Sequence, residues 1–231
     1  HSFPTRRSSD LSVVEPPPDA LCLREPISPE RLIPVPYLCV VFMLAPALDF
    51  KHTVTEQLGL DPANVHVPEG SARDLVAACQ NYEKAIKAAG GVDIQILGIG
   101  GNGHIGFNEP SSPFSSRTRV MTLAPRTRED NQRFFRADEA VPTHCLTQGL
   151  GTIMEARHLV LLANGEAKAG AIAAAVEGPV SAMCPASVLQ FHQQAVVIVD
   201  EAAASKLVNA DYYRHVQKNQ LDGWGVAGQR G

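Results

Sequence analysis

Asp93-Ile-Gln-Ile-Leu-Gly-Ile-Gly-Gly-Asn-Gly-His-Ile-Gly-Phe-Asn-Glu-Pro110 is the stretch on which the fold turns. Its apolar run from Ile94 to Leu97 has the length of a short buried strand. Four glycines follow within six residues, Gly98, Gly100, Gly101 and Gly103, and the chain then presents Asn102, His104 and Glu109. Glycine permits positive φ and lets a ligand come close to the main chain. In an α/β protein, polar groups placed directly after a strand stand at the carboxyl edge of the sheet, where ligands bind. A histidine with a carboxylate five residues on is material for proton transfer.

Outward from this loop, strand and helix patterns alternate. Ser71 with Asp74 three residues later makes a capping-box-like start. Leu75, Cys79, Tyr82, Ile86 and Ala89 then recur at helical spacing until Gly90-Gly91 ends the run. Apolar runs at 120–123, 158–163 and 195–199 read as strands, and helices are predicted over 126–136, 166–177, 184–191 and 201–217. Upstream, 52–58 reads as helical and 64–68 as a short strand. The small residues Ala171 to Val176 suit close packing on a sheet, and Gly178-Pro179 stops that helix. The alternation implies a Rossmann-like, three-layer αβα fold with a mostly parallel sheet covered on both faces.

Residues 1–48 stand apart. His1 to Asp10 is basic and serine-rich, and Pro16 to Pro36 is dense in proline with no helical or strand period. The segment reads either as a disordered tail or as non-native sequence, since Phe3-Pro-Thr-Arg-Arg-Ser-Ser-Asp-Leu11 resembles a translated sequencing-adapter scar. The α/β domain is therefore set at 49–231.

Bulk properties narrow the function. At 231 residues, 45% hydrophobic and 19% charged, the chain can bury a substantial core. A net charge of −4 gives no general attraction to nucleic acid or an anionic membrane, so an anionic substrate would need a locally basic pocket. The five cysteines form no C-x-x-C pair, which suits a reducing cytosol better than a disulfide framework or a zinc site. The uninterrupted apolar stretch from Tyr37 to Ala45 is far shorter than the roughly 20 residues of a membrane helix.

Gly98-x-Gly100-x-x-Gly103 formally matches a dinucleotide fingerprint, but a Rossmann loop enters a helix at once and meets an acidic residue at the next strand end. Here Pro110 and serines follow instead. Glu109 could hold the His104 imidazole, setting its tautomer and raising its basicity, or could be a surface charge beside a turn. Asn102 could orient the ring but takes no proton, and in a plain turn it would be a left-handed residue. Arg133, next to two phenylalanines, could offer a planar fork to a phosphate or simply pack its stem. Lys168 follows Asn164-Gly165 in the first turn of a predicted helix, where an anion is favoured. Ser115-Ser116-Arg117-Thr118-Arg119 could bind phosphate or be a polar turn.

The run Gly98 to Pro110 resembles the signature of the glucosamine-6-phosphate deaminases. Blocks at 116–119, 131–135, 146–152 and 175–179 resemble later family motifs in order and spacing, and the likeness runs from about Asp61 to Leu207. The resemblance implies a deaminase/ribose-phosphate isomerase/CoA transferase-like fold with its first strand or strands missing. It also implies conversion of glucosamine 6-phosphate and water to fructose 6-phosphate and ammonia in amino-sugar catabolism, a reaction classed here as that of a hydrolase and isomerase. No metal or organic cofactor is expected. His104 would open the sugar ring with help from Glu109 and Asn102, and Arg133, Lys168 and Gly98 would hold the substrate. The protein would be cytoplasmic, a homo-oligomer if its N-terminus is intact, and without nucleic-acid or membrane partners.

Two departures from the family pattern bear on activity. The family's Thr/Ser-Gly-Ser-Thr phosphate loop has no match here, and its Phe-Asn-x-Asp-Glu-Tyr stretch falls where this chain reads Val41 to Asp49. No carboxylate sits in register for the enolisation step, Asp49 being a poor substitute, so the chain as written is expected to be impaired. Met121 replaces a lysine of the family's allosteric variants, which argues against that regulation. Two rival readings are a 6-phosphogluconolactonase-like hydrolase and a non-catalytic sugar-phosphate-binding module.

Overall fold

The computed structural model describes residues 21–22, 38–40, 55–56, 59–135, 138 and 140–219. Within them the main sheet has five strands: β1 (Leu21–Cys22), β2 (Leu38–Val40), β3 (Ile94–Leu97), β6 (His158–Ala163) and β7 (Ala195–Val199), in the order β1-β7-β6-β3-β2. β2, β3, β6 and β7 run parallel, while β1 pairs antiparallel with β7. Interior strands of a parallel sheet are covered on both faces and become almost continuously apolar. Ala-Val-Val-Ile-Val of β7 and His-Leu-Val-Leu-Leu-Ala of β6 show this pattern. Of the stretch 1–48, Leu21–Cys22 and Leu38–Val40 are described, and both pair with this sheet. Phe3–Leu11, the Val41–Asp49 stretch and most of the predicted helix over 52–58 lie outside the described residues.

Helix α1 (Leu75–Ala88) begins at Asp74, whose carboxylate accepts from the Ala77 N–H at 2.9 Å. The sequence reading placed the start at Ser71. Asp74 itself carries an acceptor three residues from an unpaired N–H, which is the geometry of an N-cap. The predicted strand over 64–68 does not form. Asp61 and Pro62 start a short 3-10 turn at Pro62–Asn64 instead, with Asp61 capping Ala63. The remaining helices are α2 (Pro125–Asn131), α3 (Leu150–Met154), α4 (Ala169–Val176), α5 (Glu201–Ala204) and α6 (Ala210–Lys218). The core gathers Ile105, Leu150, Ile153, Leu159, Leu161 and Ile172, all essentially inaccessible to solvent.

Three predicted elements take a different form. Residues 119–122 form β4, which pairs antiparallel with β5 (His144–Thr147) in a ribbon separate from the main sheet. His-Cys-Leu-Thr has no apolar alternation by which β5 could be read. The segment Pro185–Phe191 is a 3-10 helix rather than an α-helix. The single helix expected over 201–217 is two, because Glu177 accepts from the Val208 and Asn209 N–H groups at 2.8 Å each and holds the chain in a turn between them.

Because β3, β6 and β7 are parallel, the loops after all three emerge at one edge. The glycine loop follows β3, the 3-10 turn Glu166–Lys168 follows β6, and Asp200 follows β7. The Asp200 carboxylate accepts from Gly165 N–H with both oxygens at 3.0 Å, tying two of these loops together.

Candidate active site

The glycine loop leaves β3 at Gly98, which is exposed and has open space where a Cβ would project. The chain then folds back on itself: Gly100 N–H donates to the His104 carbonyl, and Gly103 N–H donates to the Gly100 carbonyl, each at 2.9 Å. Gly103 takes φ +82° to close the turn. The turn lays the His104 imidazole against Gly100 so closely that a Cβ there would lie 2.1 Å from the ring.

The histidine is not held by Glu109 directly. His104 Nδ1 lies 3.8 Å from Glu109 Oε2, beyond hydrogen-bond range, and Asn102 stands between them. Asn102 Nδ2 donates to Glu109 Oε2 at 2.7 Å, and Asn102 Oδ1 lies 2.7 Å from His104 Nδ1. A carboxylate only accepts, so the Asn102 NH2 must face Glu109 and its oxygen must face the ring. That arrangement requires the proton on Nδ1 and leaves the Nε2 lone pair available. The other Glu109 oxygen accepts from the Ala124 N–H at 3.1 Å, and the residue is buried. The His104 ring lies against Phe107 with centroids 5.9 Å apart. Burial lowers the His104 pKa from its ordinary value; Glu109 and Asp130 oppose that and Lys168 adds to it, leaving it lowered.

A group of charges lies within electrostatic reach of this relay. Lys168, half-buried, has its pKa lowered by burial and by the nearby Arg133 and Arg126, with Asp130 opposing. Arg126 and Asp130 lie on α2, and Arg133 follows in the 3-10 turn Gln132–Phe134. The fold thus brings Arg133, Lys168 and His104 into one electrostatic neighbourhood. Arg126 and Asp130 are site neighbours that sequence reasoning missed. Their spacing from Arg133 carried the signal, since 126, 130 and 133 fall at i, i+4 and i+7 on one helical face. Lys168 sits in a 3-10 turn rather than the first turn of an α-helix.

The serine-arginine stretch is structural. Ser116 Oγ accepts from the Leu150 N–H at 3.0 Å. Arg117 donates to Glu83 and Glu155, with contacts from 2.5 to 3.1 Å. Arg119 donates to Asn108 Oδ1 at 2.8 Å and Ser112 Oγ at 3.0 Å, which pins the loop after His104. Asn108, fully buried, also donates to the Gln148 carbonyl at 2.8 Å, joining the loop to the end of β5. Burial pushes the Cys145 thiol up to about 12, so it is no nucleophile near neutral pH. Among the described residues no group of three or more His, Cys, Asp and Glu is placed to hold a metal ion.

Residues 47–198 match the family described as glucosamine-6-phosphate isomerases/6-phosphogluconolactonase. The chain belongs to that family. The glucosamine-6-phosphate deaminase of Cutibacterium acnes is 68% identical over 176 residues, covering 76% of this chain and 67% of that protein. The deaminase of Pseudarthrobacter chlorophenolicus is 59% identical over 172 residues, covering 74% and 66%. The chain thus spans about two thirds of the length of the curated relatives it matches. A solved monomeric glucosamine-6-phosphate deaminase, described as a missing link of the NagB superfamily, superposes with a TM-score of 0.66 at 41% identity, covering 68% of this chain and 65% of that one. The 6-phosphogluconolactonase of Leishmania guyanensis superposes at 0.53 with 18% identity, covering 71% and 72%, and shares the fold alone. These relatives also correct the classification as a hydrolase. The close matches are named deaminases and the family is named for isomerases.

Proposed function

We propose that this chain acts on glucosamine 6-phosphate as a deaminase, producing fructose 6-phosphate and ammonia. The observation that carries the reading is the Glu109–Asn102–His104 relay, which leaves His104 Nε2 as a proton acceptor, with Lys168 in electrostatic reach of the ring and Arg133 in reach of Lys168.

The chemistry follows from that geometry. With the sugar phosphate held by Arg133 and Lys168 and its ring above Gly98, His104 Nε2 takes the proton of the anomeric hydroxyl. The C1–O1 bond becomes a carbonyl, the C1–O5 bond breaks, and the imidazolium returns the proton to O5. Asn102 and Glu109 steady the imidazolium that forms in between. General acid–base help of this kind is worth about 10²–10⁴ in rate. The lowered pKa keeps His104 neutral near neutral pH, the form that can accept a proton. The later aldose-to-ketose step needs a carboxylate acting between C2 and C1, and the stretch where the family resemblance sets it lies outside the described residues.

Ring opening and deamination can be measured separately. Catalysed exchange between the α and β anomers of glucosamine 6-phosphate, followed by exchange NMR, reports ring opening, and ammonia release reports the whole reaction. The expected result is anomer exchange above the solution rate, with ammonia release below that of the Cutibacterium acnes relative. Ammonia release at the relative's rate would refute impairment. Phosphosugar binding with neither reaction would replace the deaminase reading by that of a non-catalytic binding module.

No helix among the described residues is long and apolar enough to cross a membrane. A phosphorylated sugar substrate and unpaired thiols support a cytoplasmic enzyme. The family resemblance favours a homo-oligomer, whereas the solved relative is described as monomeric. Sedimentation equilibrium on the purified chain decides between them.

A further inference from the structure

Arg126 is a cation for which neither the relay nor the Arg133–Lys168 pair accounts. Its guanidinium reaches across to the glycine loop: Nη2 lies 3.5 Å from the position a Cβ on Gly101 would take. Gly101 is the residue between Gly100, on which the His104 ring rests, and Asn102, which orients that ring. The same guanidinium is close enough to Lys168 to repel its ammonium, as Arg133 is. Among the described residues no carboxylate forms an ion pair with Arg126, and Asp130 is the acidic group acting on Lys168.

Like charges held close together repel one another, and an anion entering between Arg126 and Lys168 relieves that repulsion. Arg126 is well suited to such an anion, because its planar fork can meet two oxygens of a phosphate at once whereas an ammonium meets it as a point charge. Its seat against the loop also defines direction. A phosphate bridging Arg126 and Lys168 would fix one end of the substrate across the loop from which His104 works.

We infer that Arg126 is a third phosphate-binding cation of this site, with Arg133 and Lys168, and that it sets where along the glycine loop a sugar phosphate is seated. The inference rests on the sugar-phosphate reading above.

Titration calorimetry of the full chain with inorganic phosphate and with glucosamine 6-phosphate tests it. Arg126→Ala should weaken both by about tenfold, the size of one charge-assisted hydrogen bond. Arg126→Lys should recover part of the loss, and the melting temperatures of both variants should stay near the parent's because the side chain is exposed. Arg126→Ala affinities within twofold of the parent, or a parent that binds no phosphate, would overturn the inference. Arg126-dependent phosphate binding without anomer exchange would defeat the sugar reading and leave the anion site. Full anomer exchange with phosphate affinity indifferent to residue 126 would do the reverse.

Discussion

Asn102 offers its carbonyl oxygen to His104 Nδ1 at 2.7 Å, and that single contact decides which ring nitrogen is free to act. Glu109 enforces it by occupying the NH2 end of the same amide. Asn102→Leu should release the tautomer and slow anomer exchange toward the lower end of the 10²–10⁴ range, about a hundredfold. Asn102→Asp should retain most of the rate, because a carboxylate still accepts from Nδ1–H. Nitrogen-15 spectra of the ring give the direct check: the parent should show the Nδ1-protonated form, and the leucine variant a mixture. An unchanged tautomer in Asn102→Leu would remove the argument.

Protonation of His104 governs the acid side of the rate profile. His104 must be neutral to accept a proton, and burial lowers its pKa, so the acid limb of the rate profile should fall below the ordinary histidine range. Lys168 opposes the imidazolium and Glu109 favours it. Lys168→Met should therefore move the acid limb up in pH, and Glu109→Gln should move it further down. Proton NMR titration of the ring reads both shifts without depending on turnover. Shifts of the opposite sign would mean that the charges do not face His104 as described.

Two glycines with similar crowding should fail in different ways. A Cβ on Gly100 would lie 2.1 Å from the His104 ring, while one on Gly149 would lie 2.0 Å from the Ser116 backbone oxygen. A side chain can swing away, and a backbone carbonyl bound to its neighbours cannot: Ser116 O accepts from the Gly151 N–H at 2.9 Å. Gly100→Ala should keep most of its melting temperature and lose ring opening. Gly149→Ala should lose stability, on the order of 1–3 kcal/mol as for other overpacked sites. Chemical denaturation and anomer exchange on the two variants separate the outcomes.

Glu83 is the main polar anchor between α1 and the rest of the domain. It accepts from Thr118 N–H and Oγ1 at 2.8 and 2.5 Å and from Thr152 Oγ1 at 2.6 Å, and it pairs with Arg117 at 2.6 Å. Burial pushes its pKa up, but these bonds outweigh that and the net shift is down. A depressed carboxylate stabilises the fold above its unfolded pKa, and that contribution is lost as pH falls through the lower folded value. Glu83→Gln should cost about 1–3 kcal/mol at neutral pH and flatten the acid side of the stability curve. A stability profile in acid unchanged from the parent would contradict this role.

The parallel sheet and the glycine loop were legible because their signals are local. An apolar run gives a buried strand, and glycines after it give the loop carrying His104. The relay was only partly legible: Asn102, His104 and Glu109 share one short stretch, but the order Glu109–Asn102–His104 follows from how the turn at Gly103 folds. β5 was invisible because His144–Thr147 is a strand only through its partner β4. The break after α5 escaped because its cause, the Glu177 carboxylate, is about 30 residues upstream. Arg117 and Arg119, which could have been anion ligands on composition alone, are committed to carboxylates, an amide and a hydroxyl that only tertiary structure brings near.

The β4–β5 ribbon stands apart from the main sheet, and the segment that connects its strands is the one that carries Arg126, Asp130 and Arg133. Asn102, His104 and Glu109, by contrast, all come from eight consecutive residues beyond β3. Charge in the connecting segment can therefore be changed at 126, 130 or 133 without touching the hydrogen bonds that join Glu109, Asn102 and His104.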